Sequence, residues 1–242
     1  MELKICHLYP NVLFGERGNV ICLKQRLLWR GIDCTVTKLP VGAQADLDAF
    51  DLFFLGGGED FEQNALLQDL AVGRGEAIRA EVEAGKVFLA VGGGMQLMGK
   101  YREKDGEKTD FVGAADFYTT LDTERLTGNL LFSCAVGADS FDLVGFENHG
   151  GRSYPGAGVE VLGKVVAGHG SNGQDGCEGF RYKNLFCTYC GGPILAKNPA
   201  FADHLLLTAL KNRYPDAALS PLDDSFEQAA HDAMCRRLTE KR

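Results

Sequence analysis

The segment from residue 87 to residue 99 constrains the fold of this 242-residue chain more than any other. Five apolar residues, Val87 to Val91, are followed directly by three glycines and then by an apolar helical pattern. A strand without polar alternation is typically buried on both faces, as in the centre of a parallel sheet. The segment therefore predicts a strand, a sharp turn and a helix, with Gly92 at the pivot. Such a turn exposes its pivot residue at the N-terminus of the helix.

Apolar runs alternate with helical patterns through the first half of the chain. The predicted strands are 3–9, 33–39, 51–55 and 87–91, and the predicted helices are 19–29 and 62–84. This order predicts an α/β fold, with a doubly wound, mostly parallel sheet and helices on both faces. In the second half, short apolar runs between Gly- and Asn-rich turns predict mixed strands that extend the sheet, over 129–135, 142–147, 158–166 and 185–189. Helices are predicted over 199–214 and 225–242, and we predict one domain over 1–242.

Glycine-rich turns follow two of the predicted strands, one after Leu55 and one after Val91. Because ligands of parallel sheets bind at the carboxyl ends of the strands, we expect both turns to line the same crevice. The first turn contains Gly57 and Gly58, whose backbone N–H groups are candidates for an oxyanion hole. A plain tight turn without a ligand is the alternative for these two glycines.

The composition excludes several classes of protein. The formal net charge of −8 argues against nucleic-acid binding, which requires clustered lysine and arginine. No apolar run approaches the roughly 20 residues that span a bilayer. The N-terminus also lacks the basic stretch and long apolar core of a signal peptide. The eight cysteines lie mostly within apolar segments, so we expect reduced, buried thiols in a cytoplasmic protein.

A series of motifs follows in order over about residues 1–212. The motifs are His7–Pro10, Gly15–Asn19, Gly56–Asp60, Phe88–Gly99, Phe146–Arg152, Gly168–Gly173, Glu178–Asn184, Thr188–Pro193 and Lys197–Pro199. The series resembles the class I glutamine amidotransferases. Within them it is most similar to the branch of the cobyric acid synthase glutaminase domains and GatD, the glutaminase subunit of lipid II isoglutaminyl synthase. The resemblance implies a flavodoxin-like fold and a crevice for glutamine, without a cofactor.

The resemblance also locates two catalytic positions, and both are glycine in this sequence. The family places its nucleophilic cysteine at the position of Gly92, and its Thr-Tyr-x-His-Gly-Pro pattern places the histidine base at Gly191. Losing a nucleophile of this kind costs about 10⁶ in rate, or about 8 kcal/mol of barrier. We therefore predict that the chain does not hydrolyse glutamine.

Two cysteines near the vacant histidine position are the candidate substitutes. Cys190 adjoins Gly191, and Cys187 lies three residues earlier. Cys190 is either the product of drift at a relaxed site or a relocated nucleophile. Residues three apart on a strand face opposite sides, so the pair is not expected to form a disulfide or to share a metal. We predict no metal site, including a zinc site that would add Cys177 and His169 as ligands.

Four further residues are candidates for ligand contact. The resemblance gives Arg152 a role in holding the substrate glutamine, and a guanidinium suits a carboxylate through its paired N–H donors. His149 either bonds to backbone in a glycine-rich bend or contacts the ligand. Gly93 is a candidate substrate-binding residue beside the pivot. Gln96, which lies beside the nucleophile in the family, either contacts substrate or packs locally.

These residues leave three interpretations of function open. The first is a silent amidotransferase subunit in peptidoglycan precursor amidation, docked on the Mur ligase-like (MurT-like), ATP-dependent synthetase that the resemblance implies as partner. It would stabilise that partner, sense glutamine or let the partner use free ammonia. The second is a working glutaminase subunit that supplies ammonia through an unrecognised nucleophile, for example Cys190. The third is deliberate removal of the cysteine and histidine from an active chain.

Overall fold

The computed structural model describes residues 1–11, 16–57 and 60–240. The strands of the first half are β1 (Glu2–Leu8), β2 (Asp33–Leu39), β3 (Leu52–Leu55) and β4 (Val87–Val91). The helices of the first half are α1 (Arg17–Leu28), α2 (Asp60–Asp69), α3 (Gly75–Glu83) and α4 (Gly93–Met98). The four predicted strands are confirmed, with bounds that differ by no more than one residue at either end.

The second half of the chain contains seven strands and three helices within the described residues. The strands are β5 (Tyr101–Lys104), β6 (Glu107–Asp110), β7 (Phe117–Val136), β8 (Asp139–Pro155), β9 (Glu160–Ala167), β10 (Cys177–Tyr182) and β11 (Leu185–Thr188). The helices are α5 (Ile194–Lys197), α6 (Pro199–Arg213) and α7 (Ser225–Thr239). Among the helices that the structure describes, none has the length and apolar content needed to cross a membrane.

All eleven strands belong to one sheet, in the order β2-β1-β3-β4-β11-β10-β9-β7-β5-β6, with β8 paired to β7. From β2 to β11 every neighbouring pair is parallel. Beyond β11 the pairing is antiparallel, except for the parallel pair of β5 and β7. The predicted α/β sheet with mixed strands in its second half is therefore confirmed.

The core lies on both faces of the parallel part of the sheet. Val87, Leu89 and Val91 belong to one hydrophobic cluster, which includes residues of α1 and α6. Phe88 and Ala90 belong to the opposite cluster, which includes residues of α3 and α4. Side chains of a strand alternate between the two faces, so a strand covered on both sides is apolar at every position. This burial accounts for the uninterrupted apolar run that the sequence shows.

Two features of the chain differ from the sequence prediction. The predicted helix over 62–84 is broken into α2 and α3 by a π-helical turn, Leu70–Arg74. Gly73 in this turn has φ 110°, which L side chains rarely adopt and which ends regular helical hydrogen bonding. The predicted strand over 129–135 is part of the 20-residue β7, which also contains the charged stretch Asp122–Arg125. Sequence periodicity alone predicts that a strand ends at such a charged stretch. In the structure, β7 pairs with β8 on both sides of it.

Candidate active site

Gly92 lies at the sharp turn between β4 and α4, as the sequence predicts. Its backbone has φ 61° and ψ −121°, and its N–H donates to Thr188 O at 2.9 Å. This conformation is strained for any residue with a side chain, which is a feature of turns that present a catalytic group. Among the residues that the structure describes, none has a heavy atom within 4 Å of a Cβ built on Gly92. The turn therefore has room for a side chain that the sequence does not supply.

The two glycine-rich turns meet at the carboxyl end of the parallel strands, as expected. A Cβ on Gly94 would lie 2.5 Å from Leu55 O and 2.9 Å from Gly56 O, so a glycine is needed for this approach. Gly57 is buried, and Gly93 is half-buried in the first turn of α4. Gly58, the other oxyanion candidate, lies outside the described residues. The roles assigned to Gly57 and Gly93 stay predictions.

Gly191 lies just beyond β11, in an isolated bridge to Phe146 on β8. Gly191 N donates to Phe146 O at 2.9 Å, and Phe146 N donates to Gly191 O at 3.2 Å. The φ of Gly191 is not positive, so the backbone here accepts a side chain. However, a Cβ built on Gly191 would overlap with Oε1 of Glu16. The Glu16 carboxylate therefore lies where the Cβ of a side chain at position 191 would be, and the resemblance assigns this position to the base.

Glu16 is held in this place by hydrogen bonds to both of its carboxylate oxygens. Oε1 accepts from Gly192 N at 2.9 Å, and Oε2 accepts from Asn19 Nδ2 at 2.7 Å. Lys197 Nζ donates to Gly192 O, so an ammonium group lies at the same turn. Burial raises the pKa of Glu16, while these two hydrogen bonds and the Lys197 charge act in the opposite direction. Sequence reasoning assigned Glu16 no role, because the contact joins residues 176 positions apart.

Gln96 connects the turn between β4 and α4 at Gly92, called the elbow below, to a buried chain of hydroxyl groups. Its Nε2 donates to Tyr189 Oη at 3.1 Å, and Tyr189 Oη lies 2.8 Å from Ser153 Oγ. Ser153 Oγ lies 2.8 Å from Thr119 Oγ1. A Cβ on Gly151 would lie 2.5 Å from Gln96 Nε2, so the side chain is packed closely behind the elbow. Local packing, one of its two predicted alternatives, is observed, and contact with substrate stays a prediction.

His149 is buried beside the same tyrosine. Its ring stacks on Tyr189 with the two ring centroids 3.7 Å apart, and its Nδ1 lies 2.7 Å from Gly151 O. A carbonyl oxygen only accepts hydrogen bonds, so Nδ1 carries the proton. The other ring nitrogen, Nε2, lies 3.6 Å from Glu147 Oε2 in the interior. His149 therefore takes the backbone-bonded position, which was the first of its two predicted alternatives.

Two glutamates beneath the crevice are fully buried. Glu147 accepts from the backbone N–H of His169 at 2.6 Å. Glu178 accepts from Thr188 Oγ1 at 2.6 Å and from Tyr189 N at 2.7 Å. Burial raises the pKa of Glu178 above its ordinary value. Both glutamates lie in motifs of the sequence, but no role was predicted for them. A charged residue within an apolar strand was the signal that could have identified them.

Arg152 is buried, and its guanidinium is bonded to backbone carbonyl groups. Nη2 donates to Glu124 O at 2.8 Å, and Nη1 donates to Gly150 O at 3.2 Å. Its role in holding glutamine stays a prediction. A second guanidinium, that of the exposed Arg125, lies at the same pair of strands. Its Nε donates to Asn148 Oδ1 at 2.8 Å.

The cysteines near the vacant base position are buried on opposite faces of the sheet. Cys190 belongs to the hydrophobic cluster of α1 and α6, and Cys187 belongs to the cluster of α3 and α4. All eight cysteines of the chain are free thiols. Burial raises the pKa of Cys190 far above its ordinary value, and the negative charge of Glu178 adds to this effect. A buried neutral thiol is a poor nucleophile, so the structure does not favour Cys190 as a substitute.

The remaining ligand candidates of a zinc site are also separated. Cys177 Sγ accepts from Lys164 Nζ at 3.1 Å, and the His169 side chain is exposed. Over residues 1–11, 16–57 and 60–240, no group of three His, Cys, Asp or Glu side chains is arranged to hold a metal ion.

The arrangement is that of a nucleophile elbow without a reacting group. A strained turn at a helix N-terminus, a second glycine turn against it and a supporting network behind it are all present. The pivot and the base position carry glycine, and a carboxylate lies at the base position. Neither position therefore offers the thiol or the imidazole that the resemblance assigns to it.

Comparison with known proteins agrees with this architecture. Residues 4–199 match the model of the CobB/CobQ-like glutamine amidotransferase domain. The chain is 37% identical over 240 residues to the GatD subunit of lipid II isoglutaminyl synthase (glutamine-hydrolyzing) from Staphylococcus aureus, covering 98% of this chain and 96% of the relative. It is 36% identical over 234 residues to the corresponding GatD subunit from Streptococcus pneumoniae, covering 94% and 88%.

Solved structures share the fold at low sequence identity. A chain in the structure of PurLQS from Thermotoga maritima superposes with a TM-score of 0.57 at 17% identity, covering 88% of this chain and all of that one. A glutamine amidotransferase from Thermotoga maritima superposes with a TM-score of 0.53 at 12% identity, covering 98% of both chains. The family match over most of its length and the identity to two GatD subunits identify the chain as a member of the CobB/CobQ-like glutamine amidotransferase domain family.

Proposed function

We propose that this chain is a GatD-like subunit of a lipid II isoglutaminyl synthase-type complex and that it does not hydrolyse glutamine. The identity to two GatD subunits over nearly the whole chain supports the first part. The second part rests on one observation, the glycine at the elbow where a nucleophile would stand. Water attack assisted only by backbone N–H groups is slower by several orders of magnitude than attack by a thiolate.

In this proposal, the ammonia for amidation does not come from this crevice. A Mur ligase-like, ATP-dependent subunit is the partner, and it takes free ammonia to amidate the glutamate of the peptidoglycan precursor. The chain then contributes the stability of the complex and a site that still recognises glutamine. Such a complex would work in the cytoplasm, where ATP is available.

A glutaminase assay tests the proposal most directly. The purified chain is incubated with L-glutamine, and glutamate release is measured with and without the ligase subunit. We expect release no faster than in buffer, because neither a thiol nor an imidazole is present at the two positions. Glutamate release by the wild-type chain or its complex would contradict the proposal.

Restoring the two missing groups tests whether the scaffold is intact. In a Glu16→Ala background, which removes the carboxylate that a side chain at Gly191 would overlap, Gly92→Cys with Gly191→His is expected to raise hydrolysis by at least about 10³ in the complex, since a nucleophile of this kind accounts for about 10⁶. Gly92→Ala with Gly191→His in the same background is the matched control, because it adds the same backbone strain without a thiol. Equal rates for the two variants would show that the elbow is not a catalytic position.

The source of nitrogen tests the proposed role in the complex. The complex with a Mur ligase-like subunit is given lipid II, ATP and either ammonium chloride or glutamine, and amidated product is measured. We expect product with ammonium and none with glutamine. Failure of the two chains to co-purify after co-expression would count against the partner.

A further inference from the structure

The base position at Gly191 is occupied by an acceptor group rather than left open. The three heavy atoms nearest to a Cβ on Gly191 are Oε1 and Cδ of Glu16 and O of Phe146. Around the pivot Gly92, by contrast, no part of the described chain has a heavy atom within 4 Å of a built Cβ. β4 and β11 are parallel neighbours, so the residues that follow them lie at the same edge of the sheet. The crevice therefore combines a free volume at the elbow with a carboxylate at its neighbouring wall.

The Glu16 carboxylate is fixed in position but retains unused acceptor capacity. Its two oxygens each accept one hydrogen bond, from Gly192 N and Asn19 Nδ2. A carboxylate offers about four lone-pair sites, so each oxygen is able to accept one more donor. Asn19 is itself anchored, because its Oδ1 accepts from Leu195 N at 2.9 Å. Glu16 is half-buried as a residue, so part of its surface is open to solvent.

We propose that Glu16 makes this crevice selective for a carboxamide over a carboxylate, so that the chain binds glutamine and rejects glutamate. The inference rests on the proposed function, since it takes the crevice as a glutamine site. The NH₂ group of a carboxamide donates to Glu16, and its carbonyl oxygen is left for backbone N–H groups at the elbow. An ionised carboxylate ligand has only acceptor oxygens, so one of them would face Glu16 without a proton between them.

This arrangement achieves selectivity by repulsion as well as by attraction. A site discriminates most strongly when the wrong ligand leaves a polar group unpaired or brings like charges together. A glutaminase binds glutamate as its product and must release it. A chain that does not hydrolyse glutamine meets glutamate only as a competitor, and a carboxylate at the base position removes that competitor.

Isothermal titration of the purified full-length chain with L-glutamine and with L-glutamate tests this inference. We expect glutamine to bind at least about tenfold more tightly, which corresponds to about 1.4 kcal/mol. Glu16→Gln removes the charge with little change of shape, and it is expected to reduce the ratio to within about threefold. Glu107→Gln is the matched control, because Glu107 is exposed on β6 and its loss is expected to leave the ratio unchanged.

Several results would overturn the inference. The wild-type chain could bind the two amino acids equally, prefer glutamate or bind neither at millimolar concentration. An unchanged ratio in Glu16→Gln would have the same meaning, and Glu16→Ala replaces that variant should it fail to fold. The role in the complex is decided separately by the ammonium-dependent amidation assay. Equal binding or an unchanged ratio with positive amidation rejects only the role of Glu16, whereas binding of neither amino acid also rejects glutamine recognition and leaves the ammonium-dependent role in place.

Discussion

At the scale of single residues, Glu16 and Gly191 have to be considered together. The volume that a side chain at Gly191 needs is the volume in which the Glu16 carboxylate lies. The resemblance assigned the nucleophile and base positions to Gly92 and Gly191, because both fall within short local motifs. It did not show what fills the vacancy at Gly191, because that depends on a turn near the start of the chain approaching a turn near residue 191.

This contact predicts that Gly191→Ala is costly only while Glu16 is present. The new methyl group displaces the carboxylate from Gly192 N, and the loss of one such hydrogen bond costs about 1 kcal/mol. In a Glu16→Ala background the same substitution is expected to cost almost nothing. Urea unfolding of the wild type, the two single variants and the double variant measures the coupling between the two residues.

The control for this cycle is Gly128→Ala. Gly128 has no positive φ, and over residues 1–11, 16–57 and 60–240 a Cβ on it meets no heavy atom within 4 Å. Its substitution is expected to have the same small effect in both backgrounds. Additive costs for Gly191→Ala and Glu16→Ala would show that the carboxylate does not occupy the position in solution.

At the scale of elements, the local sequence pattern predicts an element correctly where the element's own residues are sufficient to define it. β4 and the turn at Gly92 follow from five apolar residues and three glycines. The break after α2 did not follow, because Ala71, Val72 and Arg74 fit a helix and a single Gly73 is tolerated in many helices. The hairpin of β5 and β6 was also missed. Its strands carry charged residues and are defined by pairing with each other and with β7.

The sequence pattern predicts the C-terminal helix α7, but it does not predict how this helix is attached to the rest of the chain. No residue of α7 is buried, and Asp224, which precedes it, is held by Arg26 of α1. The Arg26 guanidinium lies 2.7 Å from Asp224 Oδ1 and 2.7 Å from Asp203 Oδ1. Arg26 is 3% exposed, so these two carboxylates compensate a buried charge. α7 is thus attached by an ion pair at its start more than by an apolar face.

We expect Asp224→Asn to lower stability by about 1 kcal/mol at pH 7, because it removes one partner of a charge-assisted pair. The hydrogen bonds from Arg26 hold the pKa of Asp224 below its usual value. The stabilisation is therefore present above the unfolded pKa of about 3.9 and is lost as the pH falls through the lower folded pKa. Urea unfolding from pH 7 to pH 3 should show the two curves converge, whereas Asp216→Asn, at an exposed position, should show no difference at either end.

At the scale of the whole molecule, the parallel and antiparallel parts of the sheet join at β11. β11 is parallel to β4 on one side and antiparallel to β10 on the other. Glu178 of β10 bridges this junction, since it accepts from Thr188 at the end of β11 and from the following Tyr189 N–H. A residue on the antiparallel side thereby fixes the loop that leads to Gly191.

The buried charge at this junction predicts how stability depends on pH. Burial raises the pKa of Glu178, and the other ionisable groups that act on it are His149 and Glu147. Its contribution to stability is fully present below the unfolded pKa of about 4.3 and is lost as the pH rises through the folded pKa. Glu178→Gln keeps the acceptor oxygen for Thr188 and Tyr189 without the charge.

The stability of Glu178→Gln relative to the wild type should therefore increase as the pH increases. We expect the difference in unfolding free energy to move in its favour between pH 5 and pH 8, because both values lie above the unfolded pKa of about 4.3 and burial raises the folded pKa of Glu178. Urea unfolding at these two pH values measures the change, and Glu107→Gln supplies the comparison at an exposed site. A difference that is constant with pH would mean that Glu178 does not titrate in this window. The junction would then hold a carboxylate in one protonation state, and the pH dependence of the fold would have to arise elsewhere in the chain.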